Sequence, residues 1–369
     1  MEKTSKIYIA GHTGLVGSAL LRCLKKNGYN NIVVRTHDEL DLTNQAAVDA
    51  FFEKEKPDYV FFAAARVGGI VANNTYPAEF IYTNLMIGAN VINASYENGV
   101  KKLLNLASSC IYPKDAPQPM KEEYLLEGGL EKTSEAYSIA KIAAIKLCHY
   151  YNTQYGTDFI TVMPPNQYGT GDNFSMQTAH FLPMILRRFH LAMLLQNNDF
   201  DAIRKNLKKD SLGWGLDEKI DFSDEKSLEA ACNAVGAYRD KVTAWGDGKV
   251  YRELMNSDDL AEICLTLMNT KSAKDIGEFL NVGVGEDIQM KALLELVADI
   301  TGFKGEIAFD ASKPNGVFRK LLDNTKMKAL GLTVTRSLKD GITDFYSQYL
   351  LESKRKLNIT GCRFFSGRF

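Results

Sequence analysis

Lys6-Ile7-Tyr8-Ile9-Ala10-Gly11-His12-Thr13-Gly14-Leu15-Val16-Gly17-Ser18-Ala19-Leu20-Leu21-Arg22-Cys23-Leu24 decides the fold. Its first residues are a short apolar run of the buried-strand type, glycine then recurs at every third position, and the remainder has the apolar periodicity of a helix. Strand, glycine turn and helix in that order form a dinucleotide-binding unit. Gly11 permits a tight turn, Gly14 lets backbone N–H groups approach a pyrophosphate at the helix N-terminus, and Gly17 allows helix and strand to pack closely. Thr13, Leu15 and Val16 belong to the same candidate cofactor loop.

Working outward, apolar runs recur at 32–34, 59–63, 102–107 and 159–163, each separated from the next by a helical stretch. This alternation predicts an α/β fold with a Rossmann-like, doubly wound parallel sheet of buried strands. Pro164-Pro165-Asn166-Gln167-Tyr168-Gly169 begins the crossover into a second, smaller α/β domain, and 279–282 reads as a strand returning to the sheet. The expected division assigns 1–165 with 253–283 to the nucleotide and 166–252 with 284–350 to the substrate. Residues 351–369 form a C-terminal extension. The polar segment 197–241 has helical periodicity at 199–209 and 223–237, as expected of a helical lid or a partner surface.

Chemistry concentrates at two places. In Tyr137-Ser138-Ile139-Ala140-Lys141, the Tyr and Lys are four residues apart and share one helix face. A free phenol titrates near ~10, so a tyrosine that exchanges protons near neutrality needs a cation beside it, and Lys141 supplies one. The spacing alone also arises by chance in helices where Tyr is packing and Lys a solvated end. Ser108, Ser109 and Cys110 close the strand at 102–107, and ligands of open parallel sheets sit at strand carboxyl ends. Ser108 is therefore placed to bond a carbonyl.

Composition narrows the classes. With 369 residues, 45% hydrophobic content and a net charge of −1, the chain can bury a large core and gives no electrostatic reason to bind nucleic acid or a membrane surface. No apolar run approaches the ~20 residues of a spanning helix. Cysteines at 23, 110, 148, 232, 264 and 362 lack metal-type spacing, so no metal site is expected. With no signal peptide ahead of them they read as reduced cytoplasmic thiols.

The glycine loop, the upstream serine and the Tyr-x-x-x-Lys helix resemble the extended short-chain dehydrogenase/reductase family. Three longer strings are similar, within it, to the GDP-L-fucose synthases, which convert GDP-4-keto-6-deoxy-mannose to GDP-L-fucose. They begin at Ala64-Ala65-Arg66-Val67-Gly68-Gly69, at Ser108-Ser109-Cys110-Ile111-Tyr112-Pro113 and at Tyr137-Ser138-Ile139-Ala140-Lys141-Ile142-Ala143. Similarity extends over about residues 5–195 and 243–350.

The resemblance implies a 3,5-epimerase/4-reductase. Ser108, Tyr137 and Lys141 match the reductase triad, and Cys110 and His180 match the acid/base pair of epimerisation. Asn166, Arg188, Trp245, Arg252 and Lys320 fall where the family holds the GDP-sugar. Asp41 and Leu42 fall against the adenine, and Ala64 beside the cofactor. The second strand ends in Arg35-Thr36-His37-Asp38-Glu39, offering a base for a 2′-phosphate and an acid for a free ribose hydroxyl, so the residues alone leave NADPH and NADH both open. Family members often carry arginines at the positions of Thr13 and His37; the resemblance nonetheless implies NADPH. It also implies a homodimer through a four-helix bundle built from helices near 77–98 and 135–155. Gln167, Phe318 and the stretch 251–259 depart from the family's strings beside the sugar. They keep a second expectation in view: a C4-reductase of a related GDP-4-keto sugar, such as GDP-4-keto-6-deoxy-heptose, without epimerase activity.

Overall fold

Strands β1 (Ile7–Ala10), β2 (Ile32–Val34), β3 (Tyr59–Phe62), β4 (Lys102–Leu106) and β5 (Phe159–Met163) build most of the central sheet in the computed structural model, which describes residues 1–312 and 316–355. Helices α1 (Leu15–Lys26), α2 (Gln45–Glu55), α3 (Ile70–Thr75), α4 (Pro77–Glu97) and α5 (Glu135–Tyr155) connect them. The chain continues through β6 (Asn166–Tyr168), α6 (Phe181–Gln196), α7 (Phe200–Lys209), α8 (Glu225–Ala234), β7 (Lys241–Trp245), β8 (Tyr251–Arg252) and β9 (Leu254–Asn256). Next come α9 (Ser257–Thr270), α10 (Ala273–Ile276) and β10 (Leu280–Asn281), which rejoins the sheet. The order is β10-β5-β4-β3-β1-β2, with every pairing parallel. The doubly wound sheet expected from the alternating pattern is therefore present.

Side-chain alternation explains why both sheet faces are covered. Ile7 and Ile9 of β1 enter a core with α1 and α9, whereas Tyr8 and Ala10 enter the opposite core with α2, α4 and α5. β1, β4 and β5 are fully buried. β2, expected to be buried as well, is only half-buried because it is the edge strand with one neighbour. All the carboxyl ends fall on one edge, where Ala10, Phe62, Leu106 and Met163 hand the chain to its loops. α4 and α5 lie side by side across one face, and Gly88 admits the approach of Ala144.

A separate core lies beyond the sheet. After β11 (Ile288–Gln289), it joins α6 to α11 (Met290–Thr301) and, past α12 (Thr325–Ala329), to α13 (Leu338–Arg355), next to the parallel pair of β7 with β12 (Glu306–Asp310). The 197–241 segment belongs to this core, since α7 and α8 bury Ile203, Leu207, Leu228 and Cys232 in it. Asp199 and Asp224 cap these two helices with their carboxylates. Arg187, wholly buried, fastens α6 to the segment through Asn206 Oδ1 and the carbonyls of Asp210 and Ser211. α13 runs into the predicted C-terminal extension, whose remainder from 356 onward lies outside the described residues.

Candidate active site

The glycine loop is shaped by contacts that a side chain would prevent. Gly11 takes φ +85°, and a Cβ there would lie 2.7 Å from the Ala64 backbone, while a Cβ on Gly17 would overlap the Gly11 carbonyl. Gly14 caps α1 without any side-chain hydrogen bond, leaving the helix N-terminus open to an anion. Thr13 and Gly14 are exposed at the tip of the turn, with Leu15 and Val16 half-buried behind them. A dinucleotide pyrophosphate fits this cradle.

At the end of β2, Arg35 is turned onto Glu55 Oε1 at 2.7 Å and its own strand's Val34 carbonyl at 2.8 Å. Asp41 is engaged by the Thr43 amide and hydroxyl, which hold its carboxyl below the ordinary carboxylate range, and Leu42 is buried. His12 was missed in the sequence. Its ring hydrogen-bonds the Arg35 backbone, Glu39 bears on it electrostatically, and its Nδ1 is buried without a partner. A histidine between two loop glycines carries no spacing signal, so only the tertiary arrangement reveals it.

The reacting groups gather where β4 ends. Ser108 precedes a single turn, Ser109–Ile111, that carries Cys110, and the Tyr137 hydroxyl hydrogen-bonds Ser108. Ser138 fixes this relation by donating one bond, shared between the Cys110 and Ser134 carbonyls at 2.9 Å each, so that the turn is latched to α5. The thiol of Cys110 bears electrostatically on Tyr137, Lys141 and Lys320. Lys141 makes no hydrogen bond to the phenol: its Nζ donates to the Leu106 carbonyl at 2.9 Å and lies 5.9 Å from the Tyr137 ring centroid, so its charge acts on the tyrosine across that distance. Burial pushes Tyr137 strongly upward and lowers Lys141 to about 8. Tyr137 thus stays protonated near neutrality, the state a proton donor requires.

His180 caps α6 from an exposed position, and its ring makes no hydrogen bond with any described residue. Crowding by the surrounding protein lowers its pKa all the same, favouring neutral imidazole. No interaction joins it to Cys110 among the described residues.

Three cations extend the site away from the thiol. Lys320, on β13 (Arg319–Lys320), is in register with Arg252 on β8, and burial depresses both. Arg188 on α6 is 3% exposed and lowered to about 10; it donates Nη1 to the Thr243 carbonyl, leaves Nε unpartnered and pairs with no carboxylate among the described residues. A buried guanidinium such as that of Arg188, with no carboxylate partner among the described residues, suits an anionic ligand such as a diphosphate. Asn166 is exposed beside Ser109 and Lys320, and Arg188 shares an open cleft of about 380 Å³ with Trp245. Glu253 was not anticipated. It accepts the Gly285 and Leu322 amides, which steadies the strand pair bearing Arg252 and Lys320.

A parallel sheet with its glycine cradle and serine–tyrosine pair at one edge defines an extended short-chain dehydrogenase/reductase. The chain belongs to the NAD dependent epimerase/dehydratase family, whose model matches residues 7–205 and 218–283. A putative GDP-L-fucose synthase from Arabidopsis thaliana is 47% identical over 350 residues, covering 95% of this chain and 93% of that protein. The GDP-L-fucose synthase of Escherichia coli K12 is 42% identical over 95% of this chain and 97% of its own length. Among solved structures, a GDP-mannoheptose C4 reductase from Campylobacter jejuni with NADP bound is 41% identical, with a TM-score of 0.84 over 95% of this chain and 99% of that one.

Proposed function

We propose that this protein is an NADPH-dependent epimerase/reductase that converts GDP-4-keto-6-deoxy-mannose to GDP-L-fucose. The observation that carries the reading is the Cys110 thiol beside the proton-donating Tyr137. Reduction of a ketone requires no thiol, whereas removal of the acidic protons on C3 and C5 requires a base at the same carbonyl. The Lys320 ammonium and this thiol bear on each other electrostatically. His180, once protonated from solvent, returns protons to the opposite face, Ser108 bonds the C4 oxygen, and Tyr137 protonates that oxygen as it becomes an alkoxide. NADPH, when bound, would supply the hydride to C4. Gly11, Gly14, Gly17 and Ala64 would cradle its pyrophosphate, with Arg35 and His12 toward the 2′-phosphate. Asn166, Arg188, Arg252 and Lys320 hold the GDP-sugar, with Trp245 as an apolar wall.

The same reading includes a homodimer through α4 and α5. It is supported by the exposed Tyr82, Leu85, Ile139 and Tyr150 on their outward face.

The test is turnover of GDP-4-keto-6-deoxy-mannose with NADPH in heavy water, with deuterium located in the product. Label at C3 and C5 is expected. A second reading, C4 reduction of a related GDP-4-keto-heptose without epimerisation, draws on the unengaged His180 ring. Reduction of the heptose substrate without label would establish it and remove the first.

A further inference from the structure

Both tryptophans of the chain line a single cleft. Trp245 ends β7 in register with Asp310 of β12. Trp214 comes from the 197–241 insertion, within Gly213-Trp214-Gly215, where all three residues have positive φ, at +77°, +51° and +66°. A bulky side chain adopts that conformation only when its surroundings impose it. Here the Asp217 carboxylate accepts the Leu212 and Gly213 amides and the Ser211 hydroxyl, and Gln177 Oε1 accepts the Trp214 amide. The loop is held firmly, yet it leaves the indole 46% exposed, so the restraint presents the ring instead of burying it. The family match also breaks between 205 and 218, so Trp214 lies outside the part of the chain that the family model covers. Two further polar atoms of the lining residues lack partners: Asn233 Oδ1, on the last turn of α8, and Arg188 Nε are buried and unbonded.

We propose that the insertion supplies a purine clamp, in which Trp214 and Trp245 sandwich the base while Asn233 and Asp310 accept from the N1–H and N2–H₂ edge of guanine. This rests on the reading of the cleft as a nucleotide-sugar site. The Asp310 carboxylate, oriented by the Ser312 amide and hydroxyl, is an acceptor only and matches two adjacent donors. Adenine offers an acceptor and one donor on that edge, and a pyrimidine spans less of the cleft. Stacking a base on an aromatic ring is sequence-tolerant, so the clamp gives affinity and the polar pair gives selectivity.

Intrinsic tryptophan fluorescence of the full-length protein, titrated with GDP, ADP and UDP, tests this directly. GDP is expected to quench the emission and to bind at least tenfold more tightly than ADP or UDP. Trp214→Ala is expected to weaken GDP at least tenfold with the NADPH Kd unchanged, Trp214→Phe to restore most of the affinity, and Asp310→Asn to narrow the preference for GDP over ADP. Equal binding of ADP, a GDP Kd within twofold of wild type in Trp214→Ala, or a parallel loss of NADPH binding would overturn the clamp. Quenching by GDP without turnover of any GDP-keto sugar would remove the proposed reaction and keep the clamp. Turnover with undiminished GDP affinity in Trp214→Ala would do the reverse.

Discussion

Tyr137 and Lys141 occupy successive turns of one helix and answer to different surroundings. The phenol is crowded by apolar packing and the Cys110 thiol, so it keeps its proton. The ammonium, turned to the Leu106 carbonyl, keeps its own only weakly. For Lys141 the shift is downward, from an ordinary 10.5 to about 8, so the charge present at neutral pH is lost as pH rises through that value. Reductase kcat/KM should therefore fall on an alkaline limb near pH 8. Lys141→Arg, which cannot be deprotonated in that range, should move the limb upward in a pH–rate profile, and an unmoved limb would assign it to another group.

At the scale of elements, the glycine loop and the helices it feeds were legible from sequence because each is a local pattern. Helices expected near 77–98 and 135–155 are present as Pro77–Glu97 and Glu135–Tyr155, and four sheet strands lie where apolar runs placed them. What could not be read were relations between distant segments. The pairing of Arg35 with Glu55, the approach of His12 to Glu39, and the arrival of Trp214 in the cleft that Trp245 also lines each join pieces whose separation in sequence carries no periodic signal. The direction of the Lys141 side chain was likewise beyond a spacing rule, which places two residues on a face without fixing where a long side chain ends. One element prediction follows from close approach. Gly17→Ala should destabilise the protein by about 1–3 kcal/mol, because its methyl meets the Gly11 backbone and no flexible side chain can yield. It should also weaken NADPH binding, measured by thermal unfolding and cofactor titration; wild-type values for both would show that the loop relaxes freely.

For the whole molecule, two buried acids set a pH dependence. Asp172 and Glu253 are both pushed by burial to about 7, against ordinary values of 3.8 and 4.5. Between those limits the folded state binds more protons than the unfolded chain, so stability should fall as pH rises from about 4 through 7. Asp172 accepts the Asn173 amide with one oxygen and leaves the other buried and unbonded, so Asp172→Asn removes the charge with little change in shape. The variant should gain about 1–3 kcal/mol at pH 8 and flatten the profile in urea unfolding; a profile parallel to wild type would exonerate Asp172. Association belongs to the same scale. Leu85→Glu, on the outward face of α4, should turn a dimer into monomers in sedimentation experiments, whereas an unchanged sedimentation coefficient would place any interface elsewhere.

The Ser138 latch grips position 110 by its main-chain oxygen and is indifferent to the side chain carried there. Descendants of this enzyme can therefore trade the sulfur for another group, discarding or remaking the inversion chemistry, while the frame that delivers a proton to the sugar ketone is inherited intact. A catalyst latched in this way can shed one of two reactions by a single codon change.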